Sequence, residues 1–264
     1  MKIQLFFASS LALLGALLMS ASAHSKILWQ GDFETGDMSQ WSTPINPAGH
    51  SVISDCVFDG KYAGKITLTG DESFLWHGNK DLNRSEFHHR YTVGESNEGS
   101  TQEGSDTFFA FSFYLPKELS KHKHELGYWE SDKSWQQMFR FNIHGSELSF
   151  QETAAKDVLW TLPEGATSGK WHRIALHIHW STDSKTGSTE VWVNGKHMGK
   201  HHFQTLPVKD ALMFTQIGIL RSQENSTEEI LIDGALQTDN LTELLERNRY
   251  LIGKTCQPAA TVSH

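Results

Sequence analysis

The sequence predicts an all-β chain, a sandwich or a barrel, and three observations carry that prediction. Short segments of alternating or compact apolar character recur along it, Gly, Asp, Asn and Ser separate them, and only one stretch has a helical rhythm. In order, the apolar segments are residues 51–58, 63–68, 107–115, 136–143, 147–151, 172–180, 189–193, 213–220 and 229–232. In 136–144, a period of two sends Phe139, Phe141 and Ile143 to a core and leaves Gln136, Met138, Arg140, Asn142 and His144 opposite. That second face is unusually polar, as a solvated surface or a ligand groove would be. In 171–180, Ile174, Leu176, Ile178 and Trp180 share one face, and Arg173, His177 and His179 the other. A hairpin follows. Its first loop holds Asp183, Ser184, Lys185 and Gly187, and its second strand ends at Asn194-Gly195, a dipeptide suited to the positive φ angles of a tight turn. The helical rhythm falls at 240–249, where Leu241, Leu244 and Leu245 share a face and Asp239 or Asn240 can cap the start. Neither an internal repeat nor a linker interrupts the pattern, so one domain is expected.

At 264 residues and 38% hydrophobic, the chain can bury a sizeable core, and its length suits one all-β domain of roughly 200–250 residues or two small ones. The charge balance is 23 − 31, or −8, with no Lys/Arg run beyond two residues, which disfavours a nucleic-acid partner. Residues 1–23 read as a signal peptide: Lys2, an apolar stretch over 3–19, then Ala21-Ser22-Ala23. Nothing later resembles a span of ~20 apolar residues, so no membrane partner is expected. The expectation is a secreted or periplasmic monomer whose working domain is residues 24–264, with a mature balance of 22 − 31, or −9. Cys56 and Cys256 can pair in an oxidising compartment or remain free thiols.

Four segments, in order, resemble the heparin-lyase-I-like polysaccharide lyases, a group that includes glucuronan lyases. They are Gly31-Asp32-Phe33-Glu34-Thr35-Gly36-Asp37 with Trp41, and Asn83-Arg84-Ser85-Glu86-Phe87; Gly169-Lys170-Trp171-His172 through Glu190-Val191-Trp192-Val193-Asn194-Gly195; and Gln216-Ile217-Gly218-Ile219-Leu220-Arg221 ahead of Ile232-Asp233. The resemblance implies a concanavalin-A-like β-jelly-roll sandwich of two antiparallel sheets. It also implies a secreted lyase acting on an acidic, uronate-containing polysaccharide by β-elimination. Two family patterns depart here. The Gln-x-His strand reads Gln136-Gln137-Met138-Phe139, and the closing Lys-x-Gly-x-Tyr has Gln216 and Leu220 at its lysine and tyrosine. Those departures favour the rival, a non-catalytic, lectin-like carbohydrate binder on the same fold. What carries over residue by residue is Arg84, Glu86 and a glutamine at 136 or 137.

β-Elimination from a uronate requires neutralisation of the carboxylate, a base for the α-proton and an acid for the leaving oxygen. Alternation over 84–90 places Arg84, Glu86, His88 and Arg90 on one face, so two guanidinium groups flank an imidazole. His144 is the first candidate base and His88 the second, with Tyr128 or Tyr91 as the acid. Gln136, Gln137, Arg140, Asn142, Glu86, Arg90 and Gln216 are the expected substrate contacts, Glu86 chiefly by orienting Arg84. Among 15 histidines, a histidine on a polar strand is more often a surface residue than a catalyst. Trp76, Trp129 and Trp135 could stack on sugars or fill the core, with Trp129 and Trp135 expected in a polar loop.

For metals, Glu34 and Asp233 stand where domains resembling this one hold a structural calcium ion, Ca2+. His177 and His179, with His197, His201 and His202, form a weaker imidazole set, and His24 would become the amino terminus after cleavage. No organic cofactor is expected. A jelly-roll glycoside hydrolase would need a carboxylate pair, and no Glu-x-Asp-x-x-Glu strand occurs.

Overall fold

The computed structural model describes residues 26–42, 45–76, 79–90 and 103–256, without the side chains of residues 72, 76, 79 and 80. The expected signal peptide, His24 and Tyr91 lie outside the described residues, as does the Trp76 side chain. Among the described residues, fifteen strands and one α-helix follow one another: β1 (Ile27–Gly31), β2 (His50–Ile53), β3 (Ala63–Leu68), β4 (Leu75–Trp76), β5 (Asn79–Arg90), β6 (Asp106–Tyr114), β7 (His124–Ser131), β8 (Gln137–His144), β9 (Glu147–Glu152), β10 (Val158–Leu162), β11 (Trp171–His179), β12 (Ser188–Val193), β13 (Lys196–His202), β14 (Met213–Ser222), β15 (Glu228–Thr238) and α1 (Leu241–Glu246). They form two antiparallel sheets, the layers of a jelly-roll sandwich. One runs β13-β12-β11-β6-β15-β3-β2 with β1 on β15, and the other runs β10-β9-β8-β7-β14-β5-β4.

The core lies between the sheets. Phe109, Phe111 and Phe113 of β6 and Ile174, Leu176 and Ile178 of β11 face Trp129, Phe139, Phe141, Phe150 and Ile217, and none of these side chains reaches solvent. Burying each contributes about 1.5–3 kcal/mol relative to leaving it in water. The core-facing alternation expected for β8 and β11 is therefore present. The Asn194-Gly195 turn has φ of 53° and 79°, and Asn240 caps α1 by accepting from the Glu243 amide.

Two expectations are corrected. Trp129 is a core residue of β7, stacked on Phe139 with centroids 5.0 Å apart, and only Trp135 occupies the loop. Met138 is buried in the core and Gln137 takes the outward place, because the β7–β8 register shifts between Trp129 and Glu130 and reverses the alternation there. Gln136 lies in the preceding loop, exposed.

Two further ties hold the layers. Arg221 of β14 and His124 of β7 each reach Glu228 of β15 at 2.6 Å, so one carboxylate bridges the sheets. The Cys56–Cys256 disulfide joins the segment after β2 to the C-terminal segment, with Cα atoms 5.2 Å apart.

Candidate functional site

Register turns the outer face of the seven-stranded sheet into a grid. One row crosses Arg84, Leu220, Glu125, Asn142 and Ser149. A second crosses His88, Gln216, Tyr128, Arg140 and Gln151, and a third Arg90, Phe214, Glu130 and Gln137. Gly218 lets β14 close on β5, because a Cβ there would fall 2.3 Å from the Ser85 carbonyl oxygen.

Arg84 is the hub of the first two rows. Its Nε donates to Glu86 Oε2 at 2.6 Å, and Nη2 donates to the Tyr128 hydroxyl and to Gln216 Oε1. Tyr128 in turn donates to Gln216 Oε1. All four side chains are buried, Arg84 at 6% exposure and Tyr128 at 1%. Burial pushes the Glu86 carboxyl up while Arg84 opposes the shift. Burial, reinforced by Glu86, holds the Tyr128 phenol well above its ordinary value, so it stays protonated.

A second cluster adjoins on β8. Arg140 donates to Glu125 at 2.6 Å, to Gln137 at 3.1 Å and to Gln151 at 3.1 Å, and Asn142 contacts Gln151 at 3.4 Å. Arg84 and Arg140 thus each come with a carboxylate, and the face is mixed rather than broadly positive. Glu130 differs. It is half-buried, its carboxylate makes no hydrogen bond or close ion pair among the described residues, and it is pushed up to about 7 by burial, with Glu86 and Glu125 adding to the shift against Arg84.

The grid gathers Arg84, Glu86, Tyr128 and Gln216 into one cluster and Gln137, Arg140 and Asn142 into its neighbour. His88 shares the second row and packs edge-on against Phe214, with centroids 4.8 Å apart. Arg90 is exposed at the end of the third row. His144 is exposed beyond Asn142, beside Glu118 and Glu147. With β7 and β14 between β8 and β5, strand spacing alone separates it from Arg84 by about 14 Å. Gln136 stays off the face. Glu125 and Glu130 are the site residues that sequence reasoning missed. Their signal, Glu125-x-x-Tyr128-x-Glu130, is masked by Gly127 and by a register shift between Glu125 and Gly127.

Glu34, just past the end of β1, and Asp233, in the middle of β15, both reach the loop at residues 58–62. Glu34 accepts from the Lys61 and Tyr62 amides, and Asp233 from those of Phe58, Asp59 and Gly234. Asp233 is fully buried and pushed up to about 8, chiefly by that burial. Both residues offer the carboxylate oxygens that a hard cation takes, and backbone amides already occupy both oxygens of Asp233 and Oε1 of Glu34. Among the described residues, the group that brings three ligand atoms within 4.8 Å of one another is His124, Glu224 and Glu228, and Arg221 already bonds both glutamates there.

No curated protein matches the chain significantly. Among solved structures, the endo-β-1,4-glucuronan lyase of the fungus Trichoderma reesei is similar at 17% identity and a TM-score of 0.64, covering 83% of this chain and 98% of its own. The catalytic domain of a glycoside hydrolase family 131 protein from Coprinopsis cinerea is similar at 14% identity and 0.53, covering 90% and 100%. An alginate lyase from Corynebacterium sp. follows at 8% and 0.51, covering 76% and 83%. At these identities the likeness is one of fold. The polysaccharide lyase family model, by contrast, matches residues 33–235, from the opening Phe33-Glu34 through β5, β7, β8 and β14 to β15, and the chain belongs to that family.

Proposed function

We propose that this lyase cleaves an acidic, uronate-containing polysaccharide by β-elimination on the outer face of the seven-stranded sheet, acting as an exported monomer. The Arg84–Glu86–Tyr128–Gln216 cluster carries the reading. Arg84 and the Gln216 amide supply the cation and dipole that neutralise a uronate carboxylate, which acidifies the C5 proton. His88, opposite Gln216 in the same row, takes that proton. The C4–O bond then breaks, its electrons leave with the oxygen, and a C4=C5 double bond forms. Tyr128, held protonated by its burial, donates to the leaving oxygen. Return of the proton from His88 to Tyr128 through solvent restores both. His144 remains a base only for a sugar lying over Asn142.

The test is incubation of the pure protein with glucuronan, alginate, heparin and ulvan while following ultraviolet absorbance of the unsaturated product. Absence of product on every uronate polymer would sink the uronate assignment. Retardation in an affinity gel without chain shortening would leave carbohydrate binding as the activity of this face.

We also propose calcium at Glu34 and Asp233. These two residues would hold it, and its role would be structural, tying the loop at residues 58–62 to the segment after β1 and to the middle of β15.

A further inference from the structure

The loop between β7 and β8 presents Trp135 with 69% of its surface exposed, by far the most open of the described tryptophans. Its backbone is left-handed, with φ of 53°, a conformation that costs a non-glycine residue on the order of 1 kcal/mol and persists only where the surroundings impose it. Those surroundings are well defined. Trp135 N–H donates to Ser131 O at 2.9 Å, Lys133 N–H to Ser131 Oγ at 3.1 Å, and Ser131 N–H to Gln136 O at 3.3 Å. Asp132 fastens the loop to the lead-in of β14, its N–H donating to Leu212 O at 3.0 Å while its Oδ1 accepts from Leu212 N–H at 2.9 Å. The indole is therefore held out to solvent by a hydrogen-bonded loop and does not depend on a mobile tip.

What lies under it belongs to the third row of the grid. The indole meets Phe214 at 6.1 Å between centroids, and Phe214 meets His88 at 4.8 Å. Glu130, opposite Phe214 in register, carries the one carboxylate of the Glu86, Glu125 and Glu130 set that no cation meets at ion-pair distance among the described residues, Arg84 acting on it only from farther off. This row is two residues along the strands from the row of Gln216 and Tyr128, about 7 Å away, which is the scale of one sugar unit.

We propose that Trp135 and Glu130 form a sugar subsite next to the reaction centre, the indole stacking on the C–H face of a pyranose and the Glu130 carboxyl hydrogen-bonding its hydroxyls. A second carboxylate facing Glu130 would be repelled, so the ring seated there turns hydroxyls toward it. This deepens the uronate reading of the face and rests on it for the position of the neighbouring ring. Aromatic stacking on an apolar sugar face combined with one polar anchor gives orientation as well as affinity.

The test pairs kinetics with binding on one set of glycans, for wild type, Trp135→Ala, Trp135→Phe and Glu130→Gln. On a polymer that the wild type cleaves, Trp135→Ala should raise KM at least tenfold with kcat within about threefold, and Trp135→Phe should recover most of the loss. A KM within twofold of wild type in both Trp135→Ala and Glu130→Gln overturns the subsite while the lyase reading stands. If the wild type cleaves none of the polymers, the uronate lyase reading fails, and affinity electrophoresis decides the subsite alone. Retardation of wild type that Trp135→Ala abolishes supports it, and equal mobility of the two proteins on every polymer overturns it. Trp135 is 69% exposed and lies outside the main hydrophobic cluster, so far-ultraviolet circular dichroism of Trp135→Ala should match wild type.

Discussion

Tyr128 and Gln216 stand opposite each other on β7 and β14, and the phenol donates its proton to the same amide oxygen that receives Arg84. A buried phenol so placed is protonated at neutral pH and points its only proton into the cluster. Tyr128→Phe keeps the ring and removes that proton. The expected outcome is a kcat lower by about 10²–10⁴, the usual worth of a general acid, with little change in KM. Unchanged turnover would move proton donation away from Tyr128.

Arg84→Ala should be costly for folding as well as for activity. It leaves the Glu86 carboxylate, 1% exposed, without its cation, and removing one member of a buried ion pair costs about 3–5 kcal/mol. Urea unfolding should show this loss, and the double variant Arg84→Met/Glu86→Gln should regain most of it. Equal unfolding free energies for wild type and Arg84→Ala would mean that Glu86 is satisfied elsewhere.

Asp233 should make stability fall with rising pH when calcium is absent. Its folded value, about 8, lies above the ordinary 3.8, so the folded state binds the proton more tightly. Its stabilisation is complete below about 3.8 and is lost as pH rises through about 8. In chelator, Asp233→Asn should flatten that decline. Added calcium should restore the wild type at pH 8 and leave the variant unmoved; a wild-type melting temperature indifferent to calcium would refute the proposed site.

His89 has the opposite sign. It is stacked on Trp29 with centroids 3.7 Å apart, its Nε2 lies 3.2 Å from Gln237 Oε1, and burial lowers its pKa to about 3. The unfolded chain therefore binds more protons, and stability is lost as pH falls from the ordinary 6.5 toward 3. His50, lowered to about 4, acts in the same direction. His89→Phe should flatten the acid limb of the melting curve relative to wild type, which parallel acid limbs for the two proteins would contradict.

How much of this was legible depended on whether a local period survived in each strand. In β11 and most of β8 the alternation runs unbroken, and Ile174, Leu176, Phe139 and Phe141 could be assigned to the core from the sequence. Arg84, Glu86, His88 and Arg90 were likewise placed on one face of β5. β7 was not read as a strand, because His124-Glu125-Leu126-Gly127-Tyr128 carries a glycine and a register shift, and no two-residue period spans a shift. Losing β7 meant losing Glu125 and Glu130 and assigning Trp129 to a loop. Tyr128 was named from its chemistry, but its partnership with Gln216 is a matter of cross-strand register between segments far apart in the chain. The same limit applies to His144: residue type nominated it, whereas its separation from Arg84 depends on the strand order, which local patterning does not encode.

The disulfide has a consequence for chain cleavage. Because Cys56 and Cys256 are joined across a separation of 200 residues, a protease that nicks any loop between them cannot release a fragment. Cutting the exposed loop at residues 183–186, between β11 and β12, should yield a protein that migrates as one chain on a non-reducing gel and as two after reduction. With the sheets still packed and the two pieces covalently tethered, the nicked molecule refolds as a unimolecular species, independent of protein concentration. The molecule therefore keeps its two pieces together through a first cut, and only a second cut between the two cysteines can release a segment.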